Sequence, residues 1–201
     1  RFVGVDGNRL CSVVVPNEGL FFDLPPKKLP GVAFVDAVLL DTCAGPATLA
    51  VSDTAIAYES AGLRVVAILE TVDFPDYRAV LPREFSLRVE VATAELVAAT
   101  SRLQSLHFGD CTPCTRWDIG VDTVRMSSGN LDVRCDVVIA ATIAGEPRST
   151  GLNPQFVLDA MHALGGDRVL FEFGPSLSPI RVSADGRDDG MFVILMPVRL
   201  D

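Results

Sequence analysis

Ile194-Leu195-Met196-Pro197-Val198-Arg199-Leu200 follows an apolar strand-like run and sets a proline, a cation and a leucine where an exposed end is expected. Taken alone, such a run reads as the close of an edge strand, and its apolar residues as core. Two further unusual runs stand upstream: Phe74-Pro75-Asp76-Tyr77-Arg78-Ala79-Val80-Leu81-Pro82, and Val5-Asp6-Gly7-Asn8-Arg9-Leu10. Each alone favours ordinary packing; the three in this order carry more information than any one of them.

The 201 residues fit one or two domains, and 49% apolar residues suffice for a proper core. Charged residues make up only 21% and no long polar tract occurs, so nothing reads as disordered. The longest apolar runs, such as 192–198, fall far short of the roughly 20 residues of a membrane helix, and no signal peptide opens the chain. The chain starts at Arg1 inside a strand-like run, the pattern of a fragment or a processed protein. A formal charge of −9 argues against a protein that grips phosphates over its whole surface. The five cysteines, Cys11, Cys43, Cys111, Cys114 and Cys135, are odd in number and lack a secretion signal, which favours reduced thiols in a cytoplasm.

Along the chain a pattern of elements repeats. Apolar residues over 31–40 mark a short helix, followed by strand candidates at 48–51, 55–59 and 63–72 with Ser52-Asp53 and Ala61-Gly62 as turns. Thr93 is an N-cap candidate; Glu95 sits in a first turn, and Leu96, Val97, Ala99, Leu103 and Leu106 form a helical stripe. Strand candidates follow at 116–121, 123–127 and 131–143. A third helix is bounded by Asn153 as N-cap, Pro154 at the first helical position and Gly165-Gly166 at the close, with Phe156, Val157, Ala160, Met161 and Leu164 as its stripe. Strands at 168–173, 179–182 and 191–198 complete the pattern. The fold class is therefore α+β: repeated helix-plus-antiparallel-strand units, each unable to hide its apolar face until packed with another. Two units make a domain of roughly 110–120 residues. Residues 84–201 hold one whole domain, and 1–83 hold most of another, led by a hairpin.

The three runs and this alternation resemble the C-terminal portion of the bacterial DNA polymerase III β subunit, the sliding clamp. The resemblance covers nearly the whole chain: 1–83 as a partial middle clamp domain, 84–201 as the C-terminal one. It implies the DNA-clamp fold, with helices on one face of curved sheets lining a central hole, and a non-enzymatic processivity factor without cofactors. It implies as partners the polymerase III α subunit, the clamp loader, other polymerases and repair proteins, all bound through short linear motifs. Duplex DNA would be encircled by a homodimeric ring of the full-length subunit. The motif pocket would lie between the two domains. Val5, Gly7, Asn8, Arg9 and Leu10 correspond to the family's Thr-Asp-Gly-His-Arg-Leu segment, with Val5 and Asn8 as departures. Pro75, Ala79 and Val80 correspond to one wall, and Ala79 stands where an arginine is often found. Asn153 and Phe156 open the last helix, Phe156 at a usual tyrosine position. Leu177 and Pro179 form the next wall, and Ile194, Leu195, Met196, Pro197, Val198, Arg199 and Leu200 the floor and rim.

Physical reasoning supports such a pocket. A Leu/Phe-type anchor needs a concave apolar cleft with a few placed polar groups, and methionine re-packs around different ligands. Leu10, Val80, Leu177, Ile194 and Met196 supply the apolar surface; Arg9, Asn153 and Arg199 the orienting hydrogen bonds. Burying two anchors is worth about 3–6 kcal/mol before ordering costs, consistent with micromolar, exchangeable binding.

The DNA-facing side is sparing in charge. The 31–40 helix has no Lys or Arg and carries Asp36; 93–106 offers Arg102, and 153–164 only His162. Lys27, Lys28 and Arg148, in adjacent loops, complete the candidates, each more often a solvated charge than a specific contact. This weak lining raises a second reading, a stand-alone clamp-like module that binds peptides without encircling DNA. A third would build a metal or redox centre on Cys111-Thr112-Pro113-Cys114. Zinc wants two more ligands and no second such pair exists, while a redox pair wants a helix N-terminus rather than a loop, so the loop reading is preferred and no metal is expected. His107 and His162 are isolated, and the paired acids lie in turns.

Overall fold

The computed structural model describes residues 2–14, 46–69, 75–107, 113–129, 133–175, 177–185 and 190–200. The helix expected over 31–40, together with Lys27, Lys28, Cys43, Phe74 and Cys111, lies outside the described residues. The chain divides into two compact units, Arg1–Pro16 with Tyr77–Asp201, and Asn17–Asp76. The hairpin expected to lead the first domain is thus grouped with the C-terminal residues.

That hairpin is β1 (Phe2–Val5) and β2 (Arg9–Val13). Within the second unit, β3 (Thr48–Val51), β4 (Ala55–Glu59) and β5 (Arg64–Ile68) form a three-stranded antiparallel meander. The first unit continues with a 3₁₀ turn (Tyr77–Val80), β6 (Leu87–Ala92), α1 (Thr93–Gln104), β7 (Thr115–Ile119), β8 (Thr123–Gly129), β9 (Arg134–Ala140), β10 (Thr142–Gly145) and β11 (Arg148–Leu152). It closes with α2 (Pro154–Leu164), β12 (Arg168–Phe173), β13 (Ile180–Ala184) and β14 (Phe192–Leu195). A seven-stranded sheet runs β1-β2-β14-β13-β12-β6-β10, and a four-stranded sheet β11-β7-β8-β9. The α+β architecture of helix-plus-antiparallel-strand units is the one expected.

Both helices pack against each other and against the sheets, and the strand alternation sends one set of side chains to meet them. Trp117, Phe171, Phe173, Leu96, Leu103, Met126 and Leu164 are among the fully buried members of this core. The Trp117 and Phe171 rings tilt against each other with centroids 5.3 Å apart, a favourable edge-on contact. On the opposite face of the seven-stranded sheet, Glu172 is buried and lies 3.2 Å from Arg88 and 3.7 Å from Arg181, its cross-strand neighbours on either side.

Several elements differ from the sequence-based expectation. Strand 87–92 was not among the candidates, although Leu87, Val89 and Val91 alternate and are buried. Strand 148–152 was also absent from them, because Ser149 and Gly151 carry little strand signal. The single strand expected over 131–143 is two, β9 and β10, parted at Ala141, whose amide turns to the Asp122 carbonyl (2.9 Å). Each part joins a different sheet. Thr93 is not an N-cap but the first helical residue: β6 runs directly into α1, and the Thr93 amide bonds the Asp167 carbonyl across the sheet (2.9 Å). Asn153 does cap α2, accepting the Gln155 amide at 2.9 Å, with Pro154 behind it and Gly165 at the C-cap.

Candidate functional site

The β1–β2 turn is organised by Asp6. Its Oδ1 accepts the Asn8 and Arg9 amides, each at 3.0 Å, while Gly7 takes the positive φ of 87° that the tight turn needs. The Asp6 Oδ2 meets the Arg9 guanidinium at 2.6 Å. Arg9 is also ion-paired to Asp159 of α2 and lies 4.5 Å from the centre of the Phe156 ring. One cation thus ties the hairpin to the first turns of the last helix, where Asn153 is the cap.

Partial burial opposes ionisation of Asp6, but the Arg9 side chain and the Asn8 and Arg9 amides outweigh it and hold its carboxyl below the usual carboxylate range. A carboxyl whose folded pKa is depressed stabilises the fold fully above its unfolded pKa of about 4, and loses that contribution as pH falls through the folded value. Asp6→Asn should therefore lower the thermal midpoint at pH 6–8, and the gap to the unsubstituted chain should close below about pH 4. Because the pair is partly solvated, the effect is under about 1 kcal/mol. A gap that widens on acidification would contradict this assignment.

On the other face of the hairpin Leu10, Phe192 and Ile194 form a small buried cluster, covered by Val3 and by Tyr77 and Leu81 of the 3₁₀ segment. Tyr77 opens that turn and Leu81 follows it, and both pack against the cluster. Leu10 pairs with Ile194, and Arg9 with Leu195, which in turn neighbours Ile180. Beyond the end of β14 the tail stays anchored: the Met196 amide donates to the Asn8 carbonyl (2.9 Å) and the Val198 amide to the Gly151 carbonyl (2.8 Å). Beside this cluster Ala79, Val80, Leu81, Pro82, Arg83, Glu84, Pro175, Ser178 and Pro179 line a cleft of about 460 Å³. Four large apolar side chains remain notably exposed in this group of elements: Val5 (40%), Val80 (45%), Leu177 (56%) and Met196 (37%). An apolar cleft beside exposed apolar side chains, with an arginine held at the hairpin, suits an apolar ligand with a few polar groups.

The three sequence runs therefore fall in one unit, apart from residues 74–76 of the second run, Pro75 among them, which belong to the second unit. Leu195 is a correction: strand alternation turns it into the main core, where it is 1% exposed, so it supports the site without facing it. The Asn153 Oδ1 accepts the Gln155 amide as the cap of α2. Ile194 and Leu10 are buried, both 2% exposed, whereas Pro197, Val198 and Leu200 are half-buried and Arg199 is exposed. Leu177 holds a positive φ of 59°, uncommon for a residue with a side chain.

Asp6, Tyr77, Leu81, Asp159 and Phe192 were not singled out in the sequence. Tyr77 and Leu81 lie within the quoted Phe74–Pro82 run, and their spacing of four was the available signal. Asp159 carried none, because its role depends on a residue 150 positions away. Of the DNA-facing candidates, Arg102 is exposed on α1. Arg148 is half-buried: its guanidinium donates to the Gly174 carbonyl at 2.7 Å and lies 5.5 Å from the Phe173 ring centre. Among the described residues no group of three or more His, Cys, Asp or Glu converges as a metal site would.

The model of the DNA polymerase III beta subunit, C-terminal domain, matches residues 78–199. The beta sliding clamp of Vibrio cholerae is 26% identical over 204 residues, covering 100% of this chain and 54% of its own length. That of Streptomyces coelicolor is 27% identical over 150 residues, 72% of this chain and 40% of its own. The chain spans about half the length of the Vibrio relative. Among solved structures, a beta sliding clamp of Caulobacter crescentus aligns with a TM-score of 0.89 at 22% identity, over 98% of this chain and 53% of that one. The DNA polymerase III beta subunit of Thermotoga maritima aligns with a TM-score of 0.83 at 22% identity, over 99% and 54%. At that identity the likeness shows the fold, and it is the clamp fold that the family resemblance of the three sequence runs implied. With more than half of its length matched by the family model, the chain belongs to the DNA polymerase III β subunit family.

Proposed function

We propose that this chain is the C-terminal portion of a replication sliding clamp, a non-catalytic processivity factor of the cytoplasm. It holds partner proteins through short linear peptides bound across the surface made by the β1–β2 hairpin, the 77–84 segment with its cleft, and the 196–200 tail. The observation that carries the reading is the tail held on the hairpin, the Met196 amide on the Asn8 carbonyl, beside the buried Leu10, Phe192 and Ile194 against which Tyr77 and Leu81 pack. In this reading residues 84–201 are the C-terminal clamp domain, and 1–83 belong to the middle domain. The partners are the polymerase III α subunit, the clamp loader, and other polymerases and repair proteins. A full-length subunit would dimerise and encircle duplex DNA. The exposed charges of α1 and α2, among them Glu95 and Arg102, nearly balance, which suits sliding over a duplex and not gripping it.

Fluorescence polarisation with a labelled Gln-Leu-x-Leu-Phe-type peptide should give a dissociation constant in the micromolar range, roughly −8 kcal/mol. A folded chain that leaves the peptide unbound at about 1 mM would refute the site.

A further inference from the structure

Gly151 is placed where the tail crosses the four-stranded sheet. It pairs with Arg116 inside β11–β7, and on its other side it bridges to Val198, whose amide its carbonyl accepts at 2.8 Å. There is no room there for a side chain. A Cβ built on Gly151 would sit 2.6 Å from the Val198 carbonyl oxygen, 2.8 Å from the Cys114 sulfur and 3.1 Å from Leu200 Cδ2. The backbone of Gly151 is not in the left-handed region, so the glycine answers to close approach and not to a turn. Two residues on, Asn153 caps the helix that carries Phe156 and Asp159, the partners of Arg9.

We infer that Gly151 is a positioning residue for the peptide cleft: it sets how closely the tail lies on β11, and so fixes Met196 and Pro197 between two anchors. One anchor is the Met196 bond to Asn8, the other the Val198 bond to Gly151. Gly151 is not itself one of the residues of the proposed peptide site. A methyl group at this position must push against a backbone oxygen, which cannot rotate aside as a side chain would, so the tail lifts. The inference rests on the peptide-site reading above, and it adds the residue that sets the geometry of that site.

The test uses Gly151→Ala, Cys114→Ala and the double variant, read by peptide titration and by the rate at which a carboxypeptidase removes the tail. Gly151→Ala should weaken the peptide about tenfold or more, equivalent to about 1.4 kcal/mol, and speed trimming of the tail, with near-native thermal melting. Cys114→Ala should bind as the unsubstituted chain does. The double variant should stay weak, because the nearest obstacle is the Val198 carbonyl and not the thiol. Unchanged affinity in Gly151→Ala, or recovery in the double variant, overturns the inference. If the unsubstituted chain binds no peptide, the peptide-site reading fails instead. The trimming rate still decides the role of Gly151: faster digestion of Gly151→Ala supports its hold on the tail, and an unchanged rate overturns it.

Discussion

A chain shortened by Met196 to Asp201 loses more than about a hundredfold in affinity for the clamp-binding peptide and keeps its fold. The cut falls after β14 ends at Leu195, so every strand of the seven-stranded sheet survives. What is lost is the tail's two backbone anchors, to Asn8 and Gly151, and the exposed Met196 side chain beside the hairpin. If the tail supplies about half of the surface around two buried anchors, about 2–3 kcal/mol disappears, and the loosened Asn8 end of the hairpin adds to that. Circular dichroism should be close to that of the intact chain. Affinity within threefold of the intact chain would remove the tail from the site.

Trp117→Ala should cost about 3–5 kcal/mol of stability, measured by urea unfolding followed by circular dichroism. The indole is 0% exposed and packed against Phe171, so its removal leaves a cavity between sheet and helices that rigid neighbours fill poorly. Its Nε1 is buried with no hydrogen-bond partner among the described residues. Trp117→Phe sheds that unpaired donor while keeping much of the volume, and should be milder than the alanine change. A loss below about 1 kcal/mol for alanine would mean that the core is not assembled as described.

Much of the fold was legible because its signals are local. Asn153-Pro154 and Gly165 bound α2 by chemistry confined to the terminal turns, and the structure places all three as expected. What escaped was set by tertiary context. Thr93 has the residue type of a cap, but β6 enters the helix without a break, and the Asp167 carbonyl takes its amide. The break at Ala141 reflects a strand leaving one sheet for another, which apolar runs do not encode. At the candidate site, motif order named the hairpin, the 3₁₀ segment and the tail, which lie in one unit of the structure. It could not separate Ile194, on the cleft side, from Leu195, on the core side, because that depends on which face of β14 meets the helices. Nor could it show that Arg9 is shared between Asp6, Asp159 and Phe156.

The most direct measurement is a fluorescence-polarisation titration of the labelled peptide against the intact chain and a Met196→Ala/Leu200→Ala variant in parallel. Micromolar binding by the intact chain, weakened at least about tenfold in the variant, is the predicted result. Equal binding by both, or none by a well-folded intact chain, would contradict the central claim that the tail and hairpin form a peptide site.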